Sequence, residues 1–397
     1  MATVMDKVRP VEAGQLADGV KVNPVALEIL GMEKAMQARY ESLGNLKGGF
    51  GSLVKKEGRF WYYQNGYLYY KNANNIFEIH GDIYKKWVKL GGASFGRPDT
   101  NESPCVDGTG RFNHFENNTK TIFWHPSTGA NAVWGDIKVR WNELGWERSY
   151  LAYPTSDEVD FPDGGRVNAF QNGGIYWWPD TGAMDINDVV VHYTGLMCFK
   201  ETGEIDGTDE PYAIVGVVSP FGSGAYRSRT YASVDSNTSR PDLMEIYRGK
   251  PNGIALAIQL MEHDEGNRDK YTDDIAKAMT SVHSVGTTAL GFIPVVGAGI
   301  AAVVGPLIQK FIPDLAKAVN NLFGFGDEEI GKHIITLTGK DMLVLTRQNN
   351  GSMHRGIGFK FLPIISGEKT PITRCTLDWY PCDQPNALPA TQRMTIY

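Results

Sequence analysis

Gly165-Arg166-Val167-Asn168-Ala169-Phe170-Gln171-Asn172-Gly173-Gly174-Ile175-Tyr176-Trp177-Trp178 decides how the first half of this 397-residue chain is read. Apolar and polar positions alternate from Arg166, break at Asn172-Gly173-Gly174, and give way to an aromatic run. That pattern specifies a β-hairpin with a tight turn. Adjacent Trp177 and Trp178 must point to opposite faces of their strand, so one core cannot hold both.

The stretch recurs upstream. Gly110-Arg111-Phe112-Asn113-His114-Phe115 is followed by Thr121-Ile122-Phe123-Trp124, and Gly58-Arg59-Phe60-Trp61-Tyr62-Tyr63 by Tyr67-Leu68-Tyr69-Tyr70. The arginines stand 52 and 55 residues apart, and an aromatic follows each by four: Tyr63, Phe115 and Phe170. Gly81-Asp82-Ile83 with Trp87 recurs as Gly135-Asp136-Ile137 with Trp141, a helical spacing that sets Ile and Trp on one face. Each unit therefore reads as a hairpin plus a short helix. A unit this small cannot bury its own apolar face and must stack on a neighbour, around a shared axis or in a short array. The recurring arginines are expected to brace carbonyls or an acid within the unit, and the first aromatics to fill the core. Tyr69, Trp124, Trp177 and Trp178 are the candidate ligand-binding rings, because flat apolar faces with polar edges suit the C–H faces of sugars.

The order of these marks, with Phe95-Gly96-Arg97-Pro98 ahead of the second unit and Tyr153-Pro154-Thr155 ahead of the third, resembles the LGFP repeat over roughly residues 35–190. The first unit, starting from Leu43-Gly44, lacks the Pro-x-Thr-Gly-Ala tail of the others. The resemblance implies accessory repeats of secreted or surface proteins that attach to a cell wall or glycan.

After about residue 188 the composition changes. Val189–Tyr193, Leu196–Phe199, Tyr212–Val218, Ile254–Ile258, a hairpin of Ile334–Thr338 with Met342–Thr346, and Gly356–Phe361 read as short strands of a β-sandwich. A helical block over about 270–324 interrupts them, with Ile275, Met279 and Val282 on one face. Residues 286–308 carry no charge, a length of about 34 Å if helical against a bilayer core of about 30 Å. Two readings stand: a buried helical pair covering one face of the sandwich, or an apolar hairpin that inserts into a lipid membrane. Phe292-Ile293-Pro294-Val295-Val296-Gly297 resembles segments of helical pore-forming toxins, whereas Pro294, Pro306 and Pro313 interrupt the run.

Two acidic stretches, residues 201–210 and 261–269, lie at strand ends. They loosely resemble the loops of calcium-dependent lipid-binding sandwiches, which makes Asp206, Asp209, Asp264 and Asp269 the candidate calcium ligands. The alternative is solvated turns, where Asp and Gly are favoured anyway.

A net charge of −6 without a basic stripe argues against nucleic acid as a partner. No Cys-x-x-Cys pair signals zinc, and Cys375 and Cys382 are spaced to close a small loop in an oxidising compartment or to remain thiols. There is no Gly-x-Ser-x-Gly, His-Glu-x-x-His or P-loop, so a binding protein ranks ahead of an enzyme, although triads assembled in space leave no such motif. The start shows no signal peptide, so the expected route is cytoplasmic synthesis followed by unconventional release, or a leader already removed.

The sequence thus predicts a mainly β chain with some α. An N-terminal arm or helix (1–34) precedes three stacked hairpin-and-helix repeats (35–188) and a β-sandwich with a helical insertion (189–397). The expected function is non-enzymatic binding of a glycan or cell-wall polymer joined to a membrane-interacting, toxin-like second domain. A lectin-like structural protein and a repeat-targeted hydrolase of glycans or lipids are the alternatives.

Overall fold

The computed structural model describes residues 23–44, 49–161, 164–199, 210–219, 222–251, 253–263, 272–281, 329–347, 356–361 and 373–381. The chain divides into two compact units, residues 1–104 with 111–118 and residues 105–110 with 119–397.

In the first unit, α1 (Pro24–Ser42) starts on Asn23, whose side chain accepts from the Val25 N–H, with Pro at the first helical position. β1 (Leu53–Glu57), β2 (Phe60–Tyr63), β3 (Gly66–Asn72) and β4 (Asn75–His80) form an antiparallel meander in sequence order. The expected hairpin is therefore the centre of a four-stranded sheet. α2 (Gly81–Lys89) follows β4 directly, because Gly81 at φ 59° turns the chain from strand into helix, and Ile83 and Trp87 are its buried face. β5 (Ser103–Pro104) pairs with β6 (Arg111–Phe115).

The second unit repeats the pattern. β7 (Lys120–His125) pairs with β8 (Gly129–Trp134), and Gly135 at φ 57° opens α3 (Gly135–Leu144), which buries Ile137 and Trp141. β9 (Val159–Asp160), β10 (Arg166–Phe170), β11 (Gly173–Trp178) and β12 (Gly182–Ile186) form the third meander. The first-aromatic positions Tyr63, Phe115 and Phe170 are buried, as expected.

The remaining strands build the sandwich: β13 (Val189–Cys198), β14 (Tyr212–Ser219), β15 (Gly222–Arg227), β16 (Ser239–Gly249), β17 (Ile254–Met261), β18 (Glu329–Leu337), β19 (Gly356–Phe361) and β20 (Thr373–Pro381). They form two four-stranded sheets, β16-β13-β20-β19 and β15-β14-β17-β18. β14 and β17 are buried along their whole length because both faces are covered. Val215 and Leu256 face a cluster with Val191 and Tyr193 of β13, while Ile214 and Ala257 face Ile275 and Met279 of helix α4 (272–281). Gly216 admits that helix, since a Cβ there would lie 3.0 Å from both Ile275 and Met279. Helical cover of one sheet is thus present over residues 272–281. The rest of the expected helical block, including 286–308, lies outside the described residues.

The expected hairpin at 334–346 is corrected. Its second arm is α5 (Gly339–Arg347), not a strand. Thr338 and Asp341 cap it reciprocally: the Thr338 hydroxyl donates to Asp341 Oδ2 at 2.7 Å, and the Asp341 N–H donates to Thr338 Oγ1 at 3.1 Å. Met342, Leu343, Leu345 and Thr346 are then buried at helical spacing. A short apolar run of this kind fits either periodicity, and the cap and the packing decide it. Of the two cysteines spaced to close a small loop, Cys375 lies in β20. Cys382 itself lies outside the described residues.

Candidate functional site: the seams between repeats

One set of hydrogen bonds joins consecutive repeats and fixes which residues are equivalent. Asn168, fully buried, donates through Nδ2 to the carbonyls of Ala132 and Ser156, both at 3.0 Å. Asn113 does the same one repeat earlier, to Glu78 and Thr100, both at 3.0 Å. The Ser156 hydroxyl accepts from the Ala169 N–H at 2.9 Å, and that of Thr100 from the His114 N–H at 3.0 Å. Asp157 takes the Ala132 N–H at 2.9 Å, and Asn101 that of Glu78 at 3.3 Å. In the first repeat the equivalent of Asn113 is Trp61. Trp61 packs instead with Met32 and Met36 of α1.

α1 makes the contacts of a repeat helix. Its Tyr40 hydroxyl donates to Gly51 O at 2.9 Å, as Trp87 Nε1 of α2 donates to Gly96 O at 2.8 Å. Arg39 pairs with Glu78 at 2.6 Å, and Arg140 of α3 pairs with the equivalent Asp185 at 2.8 Å. Backbone bonds from Gln64, Glu116 and Gln171 to the carbonyls of Ser52, Arg97 and Tyr153 align Phe50-Gly51-Ser52-Leu53 with Phe95-Gly96-Arg97-Pro98 and Leu151-Ala152-Tyr153-Pro154. The first repeat therefore enters its meander at Phe50, not at Leu43.

Along each seam runs a row of arginine and ring. In the third repeat Arg166 and Trp177 are cross-strand partners, with the guanidinium 5.7 Å from the indole centroid. Arg166 also pairs with Glu158 at 3.0 Å and Asp160 at 3.3 Å, and Trp177 Nε1 donates to Asp136 in the first turn of α3 at 2.8 Å. In the first repeat Arg59 lies 5.9 Å from the Tyr70 ring and donates to Lys71 O at 3.2 Å. Trp124 holds the same register in β7, opposite Ala130 as Trp177 is opposite Ala183. Arg111 lies 3.9 Å from Glu102, the counterpart of Glu158. The recurring arginines thus brace carbonyls and acids. Burial pushes the Glu158 carboxyl above its ordinary range, against the pull of Arg166. Burial pushes Glu102 up to about 7; Arg111 opposes this and the Glu78 charge adds to it.

The four candidate rings divide. Trp124 and Trp177 are partly exposed in the seam row. Tyr69 is partly exposed but stacks on Phe60 at 5.4 Å, on the face opposite the row, where its equivalents Phe123 and Tyr176 are buried. The row position in the first repeat is Tyr70, which the sequence alone does not single out because three aromatics, Tyr67, Tyr69 and Tyr70, crowd β3. Trp178 is corrected: it is 2% exposed, within the core shared with Val189 and Tyr193. A ring sealed on both faces has no surface to offer a ligand. Asp206, Asp209, Asp264 and Asp269 lie outside the described residues. Among the described residues no group of three or more His, Cys, Asp or Glu side chains converges as a metal site, and no helix is long and apolar enough to cross a membrane.

A cleft of about 390 Å³ opens between β15 and β16 at one edge of the sandwich. Its polar groups are internally paired: Lys250 with Asp188 at 2.9 Å and Asn187 O at 3.0 Å, Arg248 with Glu245 at 2.8 Å, and the Tyr247 hydroxyl with Lys250 O at 2.6 Å.

Residues 95–149 and 151–191 match the LGFP repeat, covering the second and third structural repeats. The first repeat has the same meander, with Trp61 in place of the seam asparagine. No curated protein matches the chain. Among solved structures, the C2A domain of plant Extended Synaptotagmin 1 is similar at 8% identity, over 49% of this chain and 94% of that one, with a TM-score of 0.22.

Proposed function

We propose that this chain is a non-enzymatic attachment protein whose repeats bind a glycan or cell-wall polymer at the seams. The observation that carries this reading is the recurrence of one chemical arrangement on rigid strands: a partly exposed ring beside an arginine that is already held by an acid or a carbonyl. Trp177 with Arg166, Glu158 and Asp160 is its fullest form. An indole face suits the C–H face of a sugar ring, and the guanidinium and carboxylates beside it suit the hydroxyls. Recurrence of the arrangement from repeat to repeat suits a polymer of repeating units, where several weak contacts add through effective concentration. The reading rests on the repeats alone; the sandwich is the body on which the third repeat is built.

Pull-down of the full chain on purified cell-wall polysaccharide tests it. Trp177→Ala, Trp124→Ala and Tyr70→Ala are expected to lower retention, with the triple variant losing most of it while keeping the wild-type far-UV spectrum. Retention unchanged in the triple variant would end the proposal.

A further inference from the structure

Every recurring arginine of the repeats faces an acid. Arg59 lies 3.9 Å from Glu28, Arg111 3.9 Å from Glu102, and Arg166 3.0 Å from Glu158. In the third repeat a second acid joins. Asp160 stands opposite Arg166 in the strand register and lies 3.3 Å from its Nε. The Trp177 indole beside this arginine donates to the exposed Asp136. The groups in mutual contact there are one cation, Arg166, and three carboxylates, those of Glu158, Asp160 and Asp136.

One repeat earlier the charges are answered differently. Pro104 takes the register of Asp160, opposite Arg111, and Asp82, the counterpart of Asp136, pairs with Lys85 at 2.8 Å. What recurs is therefore an arginine whose charge is already met, not a free cation.

A site built for an anion has the opposite character: its guanidinium fork is left open to phosphate or carboxylate. In the third repeat Glu158 takes the Nη1 donor and Asp160 faces Nε. An incoming anion would meet these two carboxylates, and like charges brought together are costly. A hydroxyl meets no such penalty.

We infer that the seams select a neutral, hydroxyl-rich glycan and turn away acidic polymers, and that Glu158 and Asp160 set this selectivity in the third repeat. The selectivity rests on the seams being the binding surface. Trp177 supplies the apolar face, the remaining guanidinium N–H groups donate to sugar oxygens, and the exposed carboxylates of Asp160 and Asp136 accept from sugar hydroxyls.

Wall polysaccharide separated by anion exchange into neutral and acidic fractions, each immobilised, tests this with the full chain. Retention on the neutral fraction is expected to exceed that on the acidic one by roughly tenfold, and to change little between about 0.05 and about 0.5 M salt, because no ion pair forms with the ligand. Asp160→Asn removes a charge from a side chain that is 82% exposed, and Glu158→Gln keeps the shape of one that is 4% exposed. The double variant, with unchanged far-UV circular dichroism, is expected to gain about tenfold on the acidic fraction, and to lose that gain at high salt. Asp160→Asn alone should show part of the gain and carries the test if the double variant misfolds. Wild-type retention on the acidic fraction that depends on Trp177, Trp124 and Tyr70 overturns the inference while leaving the seams as the binding surface. Folded variants that gain nothing on the acidic fraction overturn it too. Retention on neither fraction, or retention indifferent to those three rings, removes the seam reading itself and this selectivity with it.

Discussion

Asn168 reaches back 36 residues to donate to the carbonyl of Ala132 at 3.0 Å, in the last strand of the repeat before its own. The bond is buried, and its partner on the other side, Ser156 O, is equally enclosed. One amide therefore satisfies two carbonyls that stacking removes from water. Replacing it leaves both unpaired, at a cost of about 1–3 kcal/mol for each buried group. Asn168→Ala is expected to destabilise the second unit by roughly 2–4 kcal/mol, read from its denaturant midpoint. The same loss at Asn113 should appear in the first unit. An Asn168→Ala protein with an unshifted midpoint would remove the amide from the account of stacking.

Glycine in the Gly-Arg mark has a reason that only the fold shows. A Cβ on Gly165 would overlap the Trp178 indole, and one on Gly110 the Tyr153 hydroxyl. Gly58, in the first repeat, meets nothing and instead holds φ 56° in the turn between β1 and β2. Gly165→Ala and Gly110→Ala should therefore each destabilise by about 1–3 kcal/mol through overpacking. Thermal melts of the two variants should fall together; a melt unchanged at Gly165 would show that Trp178 can move aside.

Much of the first half was legible because the marks are backbone requirements: Gly81 and Gly135 at strand-to-helix turns, and Ile and Trp one helical turn apart. What escaped were contacts made across repeats. Asn113 and Asn168 look like ordinary polar positions of an alternating strand until their partners are known. An N-terminal arm or helix was expected over 1–34, but its part as a repeat helix escaped because Tyr40 stands where the other helices carry Trp. Trp177 and Trp178 were rightly sent to opposite faces, yet alternation alone does not say which face a neighbouring sandwich covers. In the second half, α5 was read as a strand because the signal that matters is the Thr338–Asp341 cap ahead of it, not the apolar residues inside it.

Tyr40 tests whether α1 is a repeat helix in energetic terms as well as in geometry. Tyr40→Phe removes one hydrogen bond to Gly51 O while keeping the ring, which stacks on Tyr63 with centroids 4.5 Å apart. A loss of about 0.5–1.5 kcal/mol is expected. Tyr40→Ala also removes the ring, and a loss of roughly 3–5 kcal/mol confined to the first unit should follow. Tryptophan fluorescence reports it directly, because Trp61 lies beneath this helix.

Glu102 makes the first unit sensitive to pH. Its carboxyl rises from 4.5 to about 7 mainly through burial, with Arg111 at 3.9 Å opposing the shift and the Glu78 charge adding to it. A carboxyl whose folded value is raised favours the folded state while protonated; that contribution is fully present below about pH 4.5 and is lost as pH rises through about 7. The span corresponds to roughly 3 kcal/mol. His80, 3.4 Å away, runs the other way: burial lowers its value from 6.5, so its contribution is lost as pH falls. The difference between Glu102→Gln and wild type isolates the carboxyl. The variant should gain stability relative to wild type as the buffer is taken from pH 5 to pH 8, followed by the midpoint of urea unfolding at each pH. Parallel profiles across that range would mean that Glu102 ionises in the folded protein as easily as in the unfolded chain, and that the Arg111 guanidinium fully offsets its burial.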